Sequence, residues 1–415
     1  MKVEIRPGQL HGVIEAPPSK SYAHRMLICA SLAQGKSTLD GISSSEDMLA
    51  TMDCIKALGA EVSFRGTKAQ IKGIGSGSRL PVFPCRESGS TLRFMIPISL
   101  AVCGGGVFTG TQRLMERGIG VYEELFKNSG ILLEKDAGSI TLKGTLKPGT
   151  FRIRGDISSQ FITGMLYALS LLEEDSTIEV LPPVESRPYI DITVAVMKEF
   201  GVDVKEEREN LFYIKGGQSY QPGDRKIEGD WSNVAFLYAL QSVGHPLTIE
   251  GLNDNSIQGD KACVGFLKQL KGEVQKTDGE ELKIDLSGTP DLGPVLFACA
   301  GALRGGVFSG TKRLRIKESD RAEAMAEELK KFGITCLVGD NDVVVLQGPL
   351  QKPRVQLSGH NDHRIVMALS VLASLTGGTI DGAEAVRKSW PDFFSEMKRL
   401  GMDLEERNKE DDHEY

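Results

Sequence analysis

Six stretches of this chain are apolar around nearly the whole helical circumference: SYAHRMLICASLA, STLRFMIPISLAV, SSQFITGMLYALSLL, SNVAFLYALQSV, DLGPVLFACAGAL and DHRIVMALSVLASL. Apolar residues on every side bury a helix on several sides, so each stretch is predicted to be a core helix. Between them lie amphipathic segments such as RAEAMAEELKKF, predicted to be helices with one face in solvent. Each amphipathic segment closes on Gly and a strand-like pair: LGAEV (58–62), SGILL (129–133), FGVDV (200–204), LKGEV (270–274), FGITC (332–336) and LGMDL (400–404). Glycine after a helix is the expected left-handed cap. These glycines recur about every 70 residues, the mark of a repeated supersecondary unit.

Each unit reads as helix, strand, helix, strand, with further strand material before the next helix. A longer duplication lies over the six: GGVFTGTQRL (105–114) returns as GGVFSGTKRL (305–314), with eight of ten positions matching. Six units, duplicated as three plus three, predict an α/β fold (α+β type) of two similar domains. The fourth unit begins near IEGDWSN (227–233).

Composition narrows the class. The 415 residues carry a net charge of −7, with 25% charged and 40% apolar residues. That is the balance of a soluble globular protein, and it argues against non-specific binding to nucleic acid or anionic membranes. No apolar run reaches the ~20 residues of a membrane span, and no signal segment follows Met1, so a cytoplasmic location is expected. The seven cysteines include no CxxC pair, and buried reduced thiols are predicted. The acidic C-terminal EERNKEDDHEY is predicted to be a solvated tail.

Chemically versatile residues gather where the core helices begin: Lys20-Ser21, Gly89-Ser90, Ser158-Ser159-Gln160, Ser232-Asn233, Asp291 and Asp362-His363-Arg364. The starts of the second helices carry Arg117, Ser186 with Tyr189, Lys317-Glu318 with Arg321, and Lys388. Ser and Asp there are good N-caps. Helix N-termini bring free N–H groups and partial positive charge. With Lys20, Arg25, Arg117, Lys317, Arg321, Arg364 and Lys388 added, the pattern predicts an enzyme that holds small phosphate- and carboxylate-bearing molecules. Three other motifs are decoys. GKST (35–38) lacks the earlier Gly of a phosphate loop, GIGSGS (73–78) has no helix after it, and His360 with His363 has no third metal ligand.

At these residues the chain resembles the 5-enolpyruvylshikimate-3-phosphate synthase (3-phosphoshikimate 1-carboxyvinyltransferase) family. PSKSYAHR, GDISSQF, SRPYIDIT, KESDR, NDHR and RKSWPDF carry the resemblance, in the family's order, across residues 18–393. It implies two domains, each of three βαβαββ units in an inside-out α/β barrel, joined by a two-strand hinge. Residues 18–228 form one domain, and 1–17 with 229–415 the other. It also implies transfer of the enolpyruvyl group of phosphoenolpyruvate to the 5-hydroxyl of shikimate 3-phosphate, without metal or organic cofactor. The expected partners are these two substrates, and the expected state is a monomer.

By position, the resemblance implies that Lys20, Ser21, Arg25, Ser158, Ser159, Gln160, Ser186, Asp291 and Lys317 bind shikimate 3-phosphate. Lys20, Gly89, Arg117, Gln160, Arg321, Arg364 and Lys388 bind phosphoenolpyruvate. Asp291 acts as base, Glu318 serves the C3 proton, and Lys20 completes the catalytic set. Tyr189 packs near the shikimate ring, and His363 is a further participant. The chain departs from the family's usual pattern at Glu87 (usually Asn), Gly118 (usually Pro) and Trp390 (commonly Phe). Two rivals share part of this pattern. The sister transferase acting on UDP-N-acetylglucosamine usually opens its site with Lys-Asn and carries a reactive Cys where this chain has TQRLMERGIG. A non-catalytic anion-binding homologue would not need Asp291, Lys20 and Glu318 together.

Overall fold

The computed structural model describes residues 1–75, 80–273 and 281–407. Positions 76–78 of the GIGSGS segment, Arg79 after it, and 408–415 of the acidic tail lie outside the described residues. The chain divides into two compact units, Pro18–Glu228 and Met1–Pro17 with Gly229–Tyr415. Each encloses its own apolar core.

The unit Pro18–Glu228 contains α1 (Lys20–Leu32), α2 (Glu46–Leu58), α3 (Gly89–Val102), α4 (Gln112–Glu116), α5 (Gly120–Leu125), α6 (Ser159–Leu169) and α7 (Arg187–Glu199). The core-type helices α1, α3 and α6 are buried along nearly their whole length, as their unbroken apolar runs require. Gly164 on α6 lets α3 come close. A Cβ there would stand 2.5 Å from the Arg93 carbonyl oxygen and 2.9 Å from Pro97 Cγ.

Three four-stranded sheets share one plan: an edge strand parallel to its neighbour, then two antiparallel strands. They run Arg225–Lys226, Lys36–Asp40, Lys68–Lys72, Glu61–Arg65; then Val82–Pro84, Gly105–Thr109, Ser139–Lys143, Leu132–Asp136; then Thr150–Arg154, Ser176–Leu181, Leu211–Ile214, Val204–Arg208. Burial alternates along strands such as Lys68–Lys72, so one face covers the helices and the other meets solvent.

The second unit contains α8 (Trp231–Ser242), α9 (Cys263–Lys271), α10 (Gly293–Ala302), α11 (Arg321–Lys331), α12 (His363–Thr376) and α13 (Phe393–Arg399). Its sheet Lys283–Asp285, Gly306–Ser309, Asp342–Val345, Cys336–Val338 repeats the plan. The last sheet borrows a strand from the beginning of the chain. Lys2–Ile5 lies antiparallel to both Gly378–Asp381 and Leu404–Arg407, with Leu357–Ser358 at the edge. Leu247–Glu250 likewise takes Gly12–Glu15 as its parallel partner. Among the described residues no sheet closes into a barrel: in each unit small open sheets surround a helical interior. No helix among them is long and apolar enough to cross a membrane. The six repeat glycines all have positive φ, from +78° to +112°, the left-handed closure their place after a helix predicts.

Candidate active site

Side-chain caps set the first turns of the core helices. Ser19, Ser88, Ser158, Asp230 and Asp362 each accept a hydrogen bond from a backbone N–H two or three residues ahead. This satisfies one orphan donor per helix and sets the direction of entry. It places Lys20, Ser21, Gly89, Ser90, Ser159, Gln160, Ser232 and Arg364 in first turns. Asp291 stands differently. It lies in a 3-10 turn, Pro290–Leu292, that runs into α10, and its carboxylate goes to cations instead of a cap. Arg117 and Lys388 also depart from the helix-start pattern: Arg117 closes the short α4, and Lys388 ends the 3-10 helix Ala383–Lys388.

In the unit Pro18–Glu228, the Lys20 ammonium lies 2.9 Å from Asp47 Oδ2, on the first turn of α2. Arg25 is nearly buried and ties α1 to α7: Nε donates to Thr193 Oγ1 at 2.9 Å, and Nη2 to the Tyr189 carbonyl at 2.9 Å. Its Nη1 donates to the Ser21 carbonyl at 2.8 Å. Ser186, at the start of α7, is buried with φ +55°, a left-handed conformation uncommon for serine. Such residues gather at functional sites.

Gln160 is oriented from both ends. Its Oε1 accepts from Arg93 Nη1 at 2.6 Å, and its Nε2 donates to Ser90 Oγ at 2.8 Å. Arg93 Nη2 also reaches the carbonyls of Arg117 and Gly118, at 3.3 and 3.4 Å. One guanidinium thus links α3, α6 and the segment after α4. The Arg117 guanidinium in turn lies against Gly89.

In the second unit, a charge cluster surrounds Asp291. Its Oδ1 lies 3.1 Å from Lys317 Nζ and 2.8 Å from Arg321 Nη1, and its Oδ2 lies 3.2 Å from Arg364 Nη2. Arg321 has 1% of its surface exposed and is ringed by carboxylates: Nη2 meets Glu318 at 2.7 Å, and Nε meets Asp362 at 2.8 Å. Asp362 is fully buried, accepts from Ser319 Oγ at 3.0 Å and caps α12. His363 lies beside it, Nδ1 to Oδ1 3.8 Å. Three carboxylates and three cations therefore meet in one cluster. Burial pushes the Lys317 ammonium down to about 8, against the pull of Asp291. The Lys388 ammonium is held by the Asn361 carbonyl at 2.5 Å. His360 Nε2 lies 2.9 Å from Glu328 Oε1.

The comparisons with known proteins agree along the whole chain. The family model of EPSP synthase (3-phosphoshikimate 1-carboxyvinyltransferase) matches residues 5–397. The chain belongs to the EPSP synthase family. A 3-phosphoshikimate 1-carboxyvinyltransferase of Clostridium kluyveri is 39% identical, covering 97% of this chain and 98% of that one. One of Clostridioides difficile is 36% identical, covering 98% and 99%. The solved structure of EPSP synthase from Acinetobacter baumannii has the same fold, with a TM-score of 0.78 over 97% of this chain and 23% identity.

Each departure from the EPSP synthase pattern has a local setting. Gly118 has φ +71°, which proline cannot adopt, so this loop takes a path that excludes the usual residue. Trp390 is buried edge-on against Phe393, with ring centroids 5.3 Å apart. Glu87 is half-buried. Its neighbour Arg86 pairs with Glu46 and Asp53, each at 2.7 Å. Asp47 and Arg93 are two members of these clusters to which sequence reasoning gave no site role. Both are reached from partners far along the chain, so no local signal marks them.

Proposed function

We propose that the protein transfers the enolpyruvyl group of phosphoenolpyruvate to the 5-hydroxyl of shikimate 3-phosphate, releasing phosphate. The hydroxyl oxygen attacks C2 of phosphoenolpyruvate while C3 gains a proton. The tetrahedral intermediate then loses phosphate and a C3 proton, restoring the double bond. Such chemistry needs a carboxylate to take the hydroxyl proton, an acid/base at C3, and fixed cations for the charges that build.

The observation that carries the reading is the gathering of two carboxylates, Asp291 and Glu318, on the single guanidinium of Arg321, with Lys317 beside Asp291. In this proposal Asp291 takes the hydroxyl proton and Glu318 serves C3. Ser158, Ser159, Ser186, Gln160, Ser21, Arg25 and Lys317 hold shikimate 3-phosphate. Gly89, Arg117, Gln160, Arg321, Arg364 and Lys388 hold phosphoenolpyruvate, and Lys20 reaches both ligands. Neither metal nor organic cofactor enters the scheme. The protein is taken as a cytoplasmic monomer with no nucleic-acid or membrane partner, and light scattering after gel filtration checks the oligomeric state.

The deciding test is phosphate release from phosphoenolpyruvate with shikimate 3-phosphate present, and with UDP-N-acetylglucosamine as the control acceptor. Release with shikimate 3-phosphate alone supports the reading. No release with it ends the reading, and release with the control alone assigns the sister reaction.

A further inference from the structure

One buried carboxyl stands behind the assigned residues. Asp260 lies on the 3-10 turn Gly259–Ala262 and is 4% exposed. Ser232, in the first turn of α8, donates its hydroxyl hydrogen bond to Asp260 Oδ2. The same serine oxygen accepts from Arg364 Nη2 at 3.0 Å. Arg364 also touches Asp291, through Nη2 to Oδ2 at 3.2 Å and Nη1 to the carbonyl at 3.3 Å. A serine hydroxyl has one proton and two lone pairs. Because its proton is committed to Asp260, a lone pair is left for Arg364. The turn itself is anchored to the start of α8: the Gln258 side chain accepts from the Trp231 N–H at 3.2 Å and donates to the Gly229 carbonyl at 2.8 Å.

We propose that Asp260 is a positioning residue which, acting through Ser232, fixes the Arg364 guanidinium in the orientation that receives phosphoenolpyruvate. The proposal rests on the reading above that Arg364 binds this substrate. Burial and the charge of Asp291 push the Asp260 carboxyl up to about 6, so it is mostly ionised at neutral pH. Asp260 therefore acts on an incoming anion in two opposed ways. Its charge repels the anion, while its hydrogen bond through Ser232 aims the arginine.

Two substitutions separate these effects. Asp260→Asn removes the charge but keeps an oxygen that accepts from Ser232. Asp260→Ala removes both. In steady-state phosphate-release assays at pH 7.5, Asp260→Ala is expected to raise KM for phosphoenolpyruvate about 5- to 10-fold, with kcat and KM for shikimate 3-phosphate within about 2-fold of wild type. Asp260→Asn is expected to restore KM for phosphoenolpyruvate to the wild-type value or below. Ser232→Ala cuts the same path but keeps the repelling charge, so it should raise KM for phosphoenolpyruvate at least as much as Asp260→Ala, and the double alanine variant should be no worse than Asp260→Ala.

An active wild type with unchanged or lowered KM in Asp260→Ala overturns the proposal and leaves the functional reading standing. Equal losses for both substrates also overturn it, since they mark a general structural role. A wild type that releases no phosphate overturns the functional reading, and the proposal with it. Should Asp260→Ala fail to fold, Ser232→Ala carries the same test. Its KM for phosphoenolpyruvate must rise, and unchanged affinity overturns the proposal.

Discussion

The guanidinium of Arg117 rests face-on against Gly89: a Cβ built at Gly89 would stand 3.0 Å from its central carbon and from both terminal nitrogens. Such contacts are tighter than normal packing, so Gly89→Ala must push the cation aside by a few tenths of an ångström. The expected result is a rise of about 10-fold or more in KM for phosphoenolpyruvate, with KM for shikimate 3-phosphate nearly unchanged. Steady-state kinetics with each substrate varied in turn decide it. Unchanged KM for phosphoenolpyruvate would separate Arg117 from that substrate.

Asp291→Ala removes the proposed base. The variant is expected to bind shikimate 3-phosphate in calorimetry while turnover falls by about 10²- to 10⁴-fold. Near-normal turnover would take Asp291 out of the base role.

Lys317 gives a pH dependence with a definite sign. Its ammonium is charged below about 8 and neutral above. The proposed contact with an anionic substrate needs the charge, so kcat/KM for shikimate 3-phosphate should fall as pH rises through 8. Lys317→Arg stays charged and should lose this alkaline limb. Stability runs the other way. An unfolded lysine titrates near 10.5, so between about 8 and 10.5 the unfolded state binds more protons and this group's contribution to folding rises with pH. A pH–rate profile that is the same for wild type and Lys317→Arg would refute the assignment.

Asp362→Ala breaks the buried ion pair to Arg321 Nε and removes the cap of α12. Breaking a buried pair in this way costs about 3–5 kcal/mol. Denaturant unfolding should show that loss in the transition of the unit that carries Asp362. A loss of about 1 kcal/mol or less would show that the cluster tolerates the broken pair.

Much of this was written locally in the chain. Core helices announce themselves by unbroken apolar runs, and the repeat by glycines whose left-handed backbone other residues resist. Caps such as Ser158 and Asp362 stand directly before the residues they set. Glu318 and Arg321 are legible together because they stand only three positions apart, where α11 begins. Lys20 with Asp47, and Arg93 with Gln160, were not legible, because their partners lie 27 and 67 positions away on other helices. Nor does composition show that Arg321 is ringed by carboxylates, since two of its three partners come from other elements of its unit.

The borrowed strand Lys2–Ile5 bears on the order in which the protein is made. On the ribosome, the segment Pro18–Glu228 emerges with every strand of its three sheets and can finish folding while synthesis continues. Lys2–Ile5 must wait, with both edges open, until Gly378–Asp381 and then Leu404–Arg407 arrive. A nascent chain halted short of Leu404 would thus carry one finished body and one with an exposed strand edge, a template for mispairing that only the synthesis of Leu404–Arg407 removes.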